Sequence, residues 1–259
     1  LSSAASDVYK RQTVDLPAVG DIIQKRITTV KFSLESRIYD ATDVTYIENV
    51  YGQRTMNEDG TAILEVLIDF TNENANLIIE EMCAGDDLKV IIKGDGVYTA
   101  GKNVSNEKEA KFELWDIIGE DAHNYRFSAA IEPYETTPTT TVIGIGAVTQ
   151  KQITAINIKN YTVTKAYDGT ARANFAQLNE AIAAGIATVE FEGMFAGDNL
   201  SIEITAYGEF GSFVENVWTA SAEVGDHMVR YTRKNSTGDD RNNYYIDSTD
   251  VYVESGSIT

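Results

Sequence analysis

The 259-residue chain carries 21 basic against 40 acidic residues, a formal net charge of −19 at pH 7. That sign repels nucleic-acid phosphates and anionic lipids, so neither is an expected partner. Hydrophobic residues make up 43%, ordinary for globular domains, yet no apolar run approaches the roughly 18 residues of a membrane span, and the length fits two domains.

Residues 1–12 are set apart from the fold. Ser2 to Gln12 reads Ser-Ser-Ala-Ala-Ser-Asp-Val-Tyr-Lys-Arg-Gln, which matches, residue for residue, the translation of a transposase-type sequencing adapter. The first β-prone run covers residues 61–70. A second covers 88–93, behind the turn signal Gly85-Asp86-Asp87. A third, 111–117, alternates polar and apolar residues as a half-buried strand does. Between them sits Cys83, the single cysteine. It excludes a disulfide within the chain, and its neighbours Ile78, Ile79 and Met82 predict a buried small hydrophobe.

Residues 135–141, Glu-Thr-Thr-Pro-Thr-Thr-Thr, read as a linker, because Pro138 fixes one φ angle and β-branched threonines favour extended backbone. The expected division is 13–135 for a first repeat, 136–141 for the linker and 142–259 for a second repeat. Phe175, Leu178, Ile182 and Ile186 recur at steps of three and four, predicting a core-facing helix of about three turns. Strand signals resume at 188–192, 200–205 and 251–254. Short strands punctuated by Gly, Asp and Asn predict an all-β chain: two tandem immunoglobulin-like β-sandwich domains, the second with a short inserted helix.

Both halves use the same words in the same order. Gln24-Lys25 returns as Gln150-Lys151, Tyr39-Asp40 as Tyr167-Asp168, Gly85-Asp86 as Gly197-Asp198, and Asn124-Tyr125 as Asn243-Tyr244. Four landmarks in register imply duplication, and arrays of duplicated domains serve reach or multivalent attachment. Gly146-Ala147-Val148-Thr149 precedes Gln150, and Gly256-Ser257-Ile258-Thr259 has the same pattern, so a further repeat is expected to follow.

These landmarks resemble the YDG repeats of bacterial haemagglutinin-like adhesins and cell-surface proteins. Lys165-Ala166-Tyr167-Asp168-Gly169-Thr170 gives the opening of that repeat in full, and Arg37-Ile38-Tyr39-Asp40-Ala41-Thr42 gives it with alanine in place of glycine. Gly101-Lys102-Asn103-Val104-Ser105 matches the middle element. Asp121-Ala122-His123-Asn124-Tyr125 matches the late one, of which Asp240-Arg241-Asn242-Asn243-Tyr244 is a looser copy. The resemblance implies an extracellular or cell-surface stalk or presentation module, whose partners are neighbouring repeats of the same chain and a host glycan or protein.

The residues carry a structural reading of their own. Asp-Gly suits a tight turn, since Gly accepts positive φ and Asp bonds nearby backbone. Ala41 leaves two options, a different turn or tolerated strain. Tyr39 and Tyr167 are both expected to be buried framework residues with a partner for the hydroxyl. Asp40, Gly85, Asp86, Asn124, Tyr125, Asp168, Gly169, Gly197, Asp198, Asn243 and Tyr244 are framework candidates of the same kind.

Chemistry is sparse. His123 and His227 lie in different repeats, so no zinc cluster assembles, and no EF-hand loop, nucleophile elbow or P-loop occurs. No catalytic, cofactor or metal residue is assigned and no enzyme activity is expected. Trp218, Tyr231, Tyr244, Tyr245 and Tyr252, with Trp115 and Tyr125 in the first repeat, are candidates for an aromatic glycan platform or for core. Two alternatives therefore stand beside the stalk: a glycan- or protein-binding module, and an accessory domain of a secreted carbohydrate-active enzyme.

Overall fold

The computed structural model describes residues 22–47, 50, 54–65, 77–127 and 140–259. The adapter-like residues 1–12, the second half of the 61–70 run and linker positions 136–139 lie outside them. The first half of the chain forms β1 (Lys25–Arg26), β2 (Thr29–Ser33), β3 (Arg37–Ile38), β4 (Val44–Thr45), β5 (Arg54–Met56), β6 (Thr61–Glu65), β7 (Ile78–Ile79), β8 (Lys89–Tyr98), β9 (Ser105–Ile118), β10 (Tyr125–Arg126) and β11 (Thr141–Thr149). Its main sheet runs β5-β6-β8-β9-β11-β2-β7, with β3 on β11 and β4 on β8, while β1 and β10 make a separate parallel ribbon.

The second half forms β12 (Lys151–Ile153), β13 (Ala155–Lys165), β14 (Arg172–Ala173), α1 (Ala176–Ala183), β15 (Thr188–Glu192), β16 (Ser201–Ile204), β17 (Gly208–Val214), β18 (Val217–Ala220), β19 (Gly225–Thr237), β20 (Tyr244–Ile246) and β21 (Asp250–Ile258). The sheet order is β14-β17-β19-β21-β13-β15, and β12 pairs β20 in a parallel ribbon of its own. The described residues thus form two tandem β-sandwich domains with one short α-helix in the second, and no described strand is shared between the sheets.

The repeat seen in sequence is a repeat in space. β1 pairs β10 through Lys25 and Tyr125; β12 pairs β20 through Lys151 and Tyr244. Gln24 Nε2 donates to the His123 carbonyl, and Gln150 Nε2 to that of Asn242. β3 lies parallel to β11 with Arg37 opposite Val148, as Lys165 lies opposite Ile258.

The sheet pairing moves the boundary between the domains. Thr141–Thr149, nearly all of which the sequence reading gave to the second repeat, is the closing strand of the first sheet, antiparallel to β9 and parallel to β2. Val142 and Val148 are buried there, and the Thr140 hydroxyl donates to the Ile27 carbonyl at 2.7 Å. Threonines that favour extended backbone serve a strand as well as a linker, which is why composition alone misplaced them. The second domain opens at Gln150.

Alternation decides the faces. In β9 Phe112, Leu114 and Ile117 point inward, and Trp115 is exposed beneath the Lys93 ammonium, 3.9 Å from its ring centre. The helix is shorter than its stripe. Leu178 and Ala181 are buried, but Gly185 takes φ +71 and ends it, so Ile186 falls beyond the last turn and is exposed.

Candidate functional site at the repeat junction

In each repeat the Gly-Asp and Asn-Tyr landmarks meet. Gly85 and Gly197 hold φ +94 and +93, which turns the chain so that the aspartate after each faces the late tyrosine. The Tyr125 hydroxyl donates to Asp86 at 2.5 Å and accepts from the Cys83 N–H at 2.8 Å. The Tyr244 hydroxyl donates to Asp198 at 2.6 Å and accepts from the Phe195 N–H at 3.0 Å. Asp121 and Asp240 close the same loops by accepting from the N–H groups of Asp87 and Asn199. Two identical devices therefore exist, and they differ in what lies against them.

Against Asp198 lies the first repeat. The Tyr39 hydroxyl donates to Asp198 Oδ2 at 2.8 Å, and Lys102 Nζ donates to Oδ1 at 2.5 Å. Tyr39 is 1% exposed, with its ring edge-on to Tyr244 and Phe195 at 5.5 and 6.1 Å. Beside it Asn243 accepts from the Val104 N–H at 3.0 Å and donates to Asn103 Oδ1 at 3.0 Å. The Asp198 side chain is 1% exposed, so its bonds from Tyr39 and Tyr244 are buried and lie in a medium where they are stronger than in water, while the contacts of Lys102, Asn103 and Val104 are partly buried. The two repeats have separate sheets, yet their buried side chains form one cluster through Tyr39.

Burial pushes the Asp198 carboxyl up, but hydrogen bonds from Lys102, Tyr244 and Tyr39 outweigh it and hold the group below the usual carboxylate range. Hydrogen bonds to Asp198 and Tyr39 raise the Lys102 ammonium. Burial raises both junction tyrosines. The junction thus holds an ionised pair with neutral phenols around it.

The first repeat builds the donor surface locally. The Tyr-Asp turn is held by Asp40, which accepts from the Thr42 N–H and hydroxyl at 2.9 and 2.8 Å and pairs with Arg37. Asp168 binds Thr170 and Lys165 in the same way, which brings its carboxyl down to about 2. Ala41 takes φ +64 where Gly169 takes +76, so the alanine tolerates the strained left-handed turn. Lys108, buried to 3% exposure, donates to the Gly101 and Asn103 carbonyls and so fixes the loop that presents Lys102 and Asn103.

Not every framework candidate behaves alike. Tyr167, expected to be buried like Tyr39, is 60% exposed: its backbone N–H bonds Thr259 as that of Tyr39 bonds Thr149, but no second domain among the described residues packs on its ring. Asn124 is exposed where Asn243 is buried. Cys83, expected inside, is exposed: its position corresponds to Phe195 at the junction, and among the described residues nothing covers it in the first repeat. Sequence reading singled out Gly101–Ser105 as a motif but gave Lys102, Asn103 and Lys108 no role. The signal for Lys102 and Asn103 is their match to the middle element, which marks a contact only once the neighbouring repeat is in place; Lys108 lies outside that element.

The aromatic candidates divide. Tyr231 is core, its hydroxyl donating to the Asn174 carbonyl at 2.8 Å, and Tyr125 and Tyr244 belong to the landmark pairs. Trp218 and Tyr252 meet half-exposed Phe213 in a cluster with centroids 5.3–5.9 Å apart, and Arg230 lies over Trp218. Among the described residues no three His, Cys, Asp or Glu side chains gather as metal ligands, and no helix is long and apolar enough to cross a membrane. Comparison with known family models, with curated proteins and with solved structures finds no match.

Proposed function

We propose that the chain is a non-catalytic repeat segment of a large bacterial surface or secreted protein, acting as an adhesin-type stalk or presentation module. The observation that carries this reading is the Asp198 junction. The most buried carboxylate arrangement in the described residues is spent on joining one repeat to the next. A short tether already holds neighbouring domains at about millimolar effective concentration; a junction with ionic and phenolic bonds adds stiffness, which a flexible bead string lacks. The YDG-like landmarks support the reading because they are the residues that build the turns and the contact.

One observation favours a second reading. The Phe213–Trp218–Tyr252 cluster is a partly exposed aromatic surface, and the Trp218 indole N–H is buried without a partner among the described residues. Such surfaces suit sugar rings. A glycan and host-protein binding screen on the full chain, with calcium and with a chelator, separates the two. The stalk reading expects no saturable binding. Tight binding lost in Trp218→Ala contradicts it and establishes the binding module.

A further inference from the structure

The first repeat carries at its far face the acceptor half of the junction, and nothing described fills it. Asp86 and Tyr125 reproduce Asp198 and Tyr244 bond for bond. Cys83 stands where Phe195 meets Tyr39 edge-on, and Lys25 reaches its sulfur at 3.6 Å, as Lys151 lies over the Phe195 ring. The result is an open concavity of about 340 Å³ bordered by Gln24, Lys25, Cys83, Asp86, Asn124 and Tyr125. Chain enters it through Ile22 and Ile23, 101% and 79% exposed, at the two positions before Gln24. The positions before Gln150 are Val148 and Thr149, and Val148 is 1% exposed in the closing strand of the repeat before.

The second repeat carries the donor half at its own far end, but incomplete. Tyr167 is presented like Tyr39. Pairing of Ser105 with Val148 and of Gly225 with Ile258 aligns the loops ahead of them, so Ala222, Glu223 and Val224 occupy the places of Lys102, Asn103 and Val104. A second contact confirms the alignment: the His227 ring bonds the Glu223 carbonyl at 2.7 Å, as Lys108 bonds that of Asn103. At this end the ammonium is missing, and a carboxylate stands where an amide should meet Asn124.

We infer that the Asp86–Asn124–Tyr125 face is the docking site for another repeat whose far end offers a tyrosine hydroxyl, a lysine and an asparagine, as the first repeat's own end does. The contact is head-to-tail, and its unpaired ends propagate. This inference rests on the array reading above and adds to it a rule of order. A repeat ending like the first can precede this chain, whereas one ending like the second cannot, because it brings Glu223 toward the Asp86 face and no lysine of its own to pair with Asp86. One carboxylate and one missing ammonium thereby keep copies of this chain from stringing together.

The test restores the donors in the full chain. In Ala222→Lys/Glu223→Asn the second repeat offers Tyr167, lysine and asparagine to the Asp86 face of another copy. Cys83, the only cysteine, reports docking by its rate of modification with an aromatic disulfide reagent, alongside mass from sedimentation. The expected result is slowing of about tenfold in the double variant as the chain reaches roughly the millimolar level that a tether imposes, with growth into head-to-tail oligomers. Wild type should show neither. Adding Tyr167→Ala, a change at an exposed ring, should return both readings to wild type. Unchanged Cys83 reactivity and monomeric mass in the double variant would overturn the inference. So would protection that survives Tyr167→Ala, or protection equally strong in wild type. The stalk reading fails on a different measurement, the binding screen, so the two failures are distinguishable.

Discussion

At the scale of single residues, the same pair of letters does different work in the two repeats. Tyr39→Ala removes a fully buried ring and a bond to Asp198, and is expected to destabilise by about 3–5 kcal/mol. Tyr167→Ala, at an exposed ring, should stay within about 0.5 kcal/mol. Denaturant unfolding of the two variants side by side checks this; equal losses would contradict it. Ala41 is the other informative position. Its left-handed φ of +64 strains an L side chain, so Ala41→Gly is expected to stabilise by about 0.5–1 kcal/mol despite the entropy that glycine adds to the unfolded chain. A fall in the unfolding midpoint would mean that the methyl's packing against the core outweighs the strain.

At the scale of elements, much was legible because periodicity reports burial. The runs at 111–117, 188–192 and 251–254 fall within β9, β15 and β21, since each buries one face. The helix was legible from Leu178, but its end was set by Gly185, a local stop that an apolar stripe does not encode. What could not be read was partnership. Val142 and Val148 look the same whichever sheet receives them, and Lys102 and Asn103 look like a solvated turn until another domain meets them. Landmark order revealed duplication; only the fold showed that Asp86 and Asp198 are one device, open in one copy and filled in the other. The Gly101–Val104 loop supplies the element-scale prediction. Lys108→Met removes the ammonium that ties this loop down without touching the second repeat. Hydrogen exchange at the Val104 amide, which bonds Asn243, should accelerate at least about tenfold, the equivalent of losing about 1.4 kcal/mol of local protection. Unchanged exchange would show that the loop holds its shape unaided.

At the scale of the whole molecule, the junction couples stiffness to protonation. Asp198 has a folded value held below its ordinary 3.8, so its contribution is complete above that value and is lost as pH falls through the folded one. Lys102 is raised above 10.5, so its contribution is complete below that and is lost as pH rises through the folded value. Asp40 and Asp168, also lowered, add acid sensitivity inside each repeat. The two repeats should therefore stay docked across neutral pH and separate in acid below the ordinary aspartate range. The most direct measurement is the distribution of distances between spin labels on Cys83 in the first repeat and on Thr219→Cys in the second. At neutral pH one narrow distribution is expected. Tyr39→Phe/Lys102→Ala, which removes the first repeat's two donors to Asp198 and leaves the second repeat intact, should broaden it, as should acid. A distribution equally broad with and without those donors would contradict a stiff junction, and with it the reading of this chain as a jointed stalk.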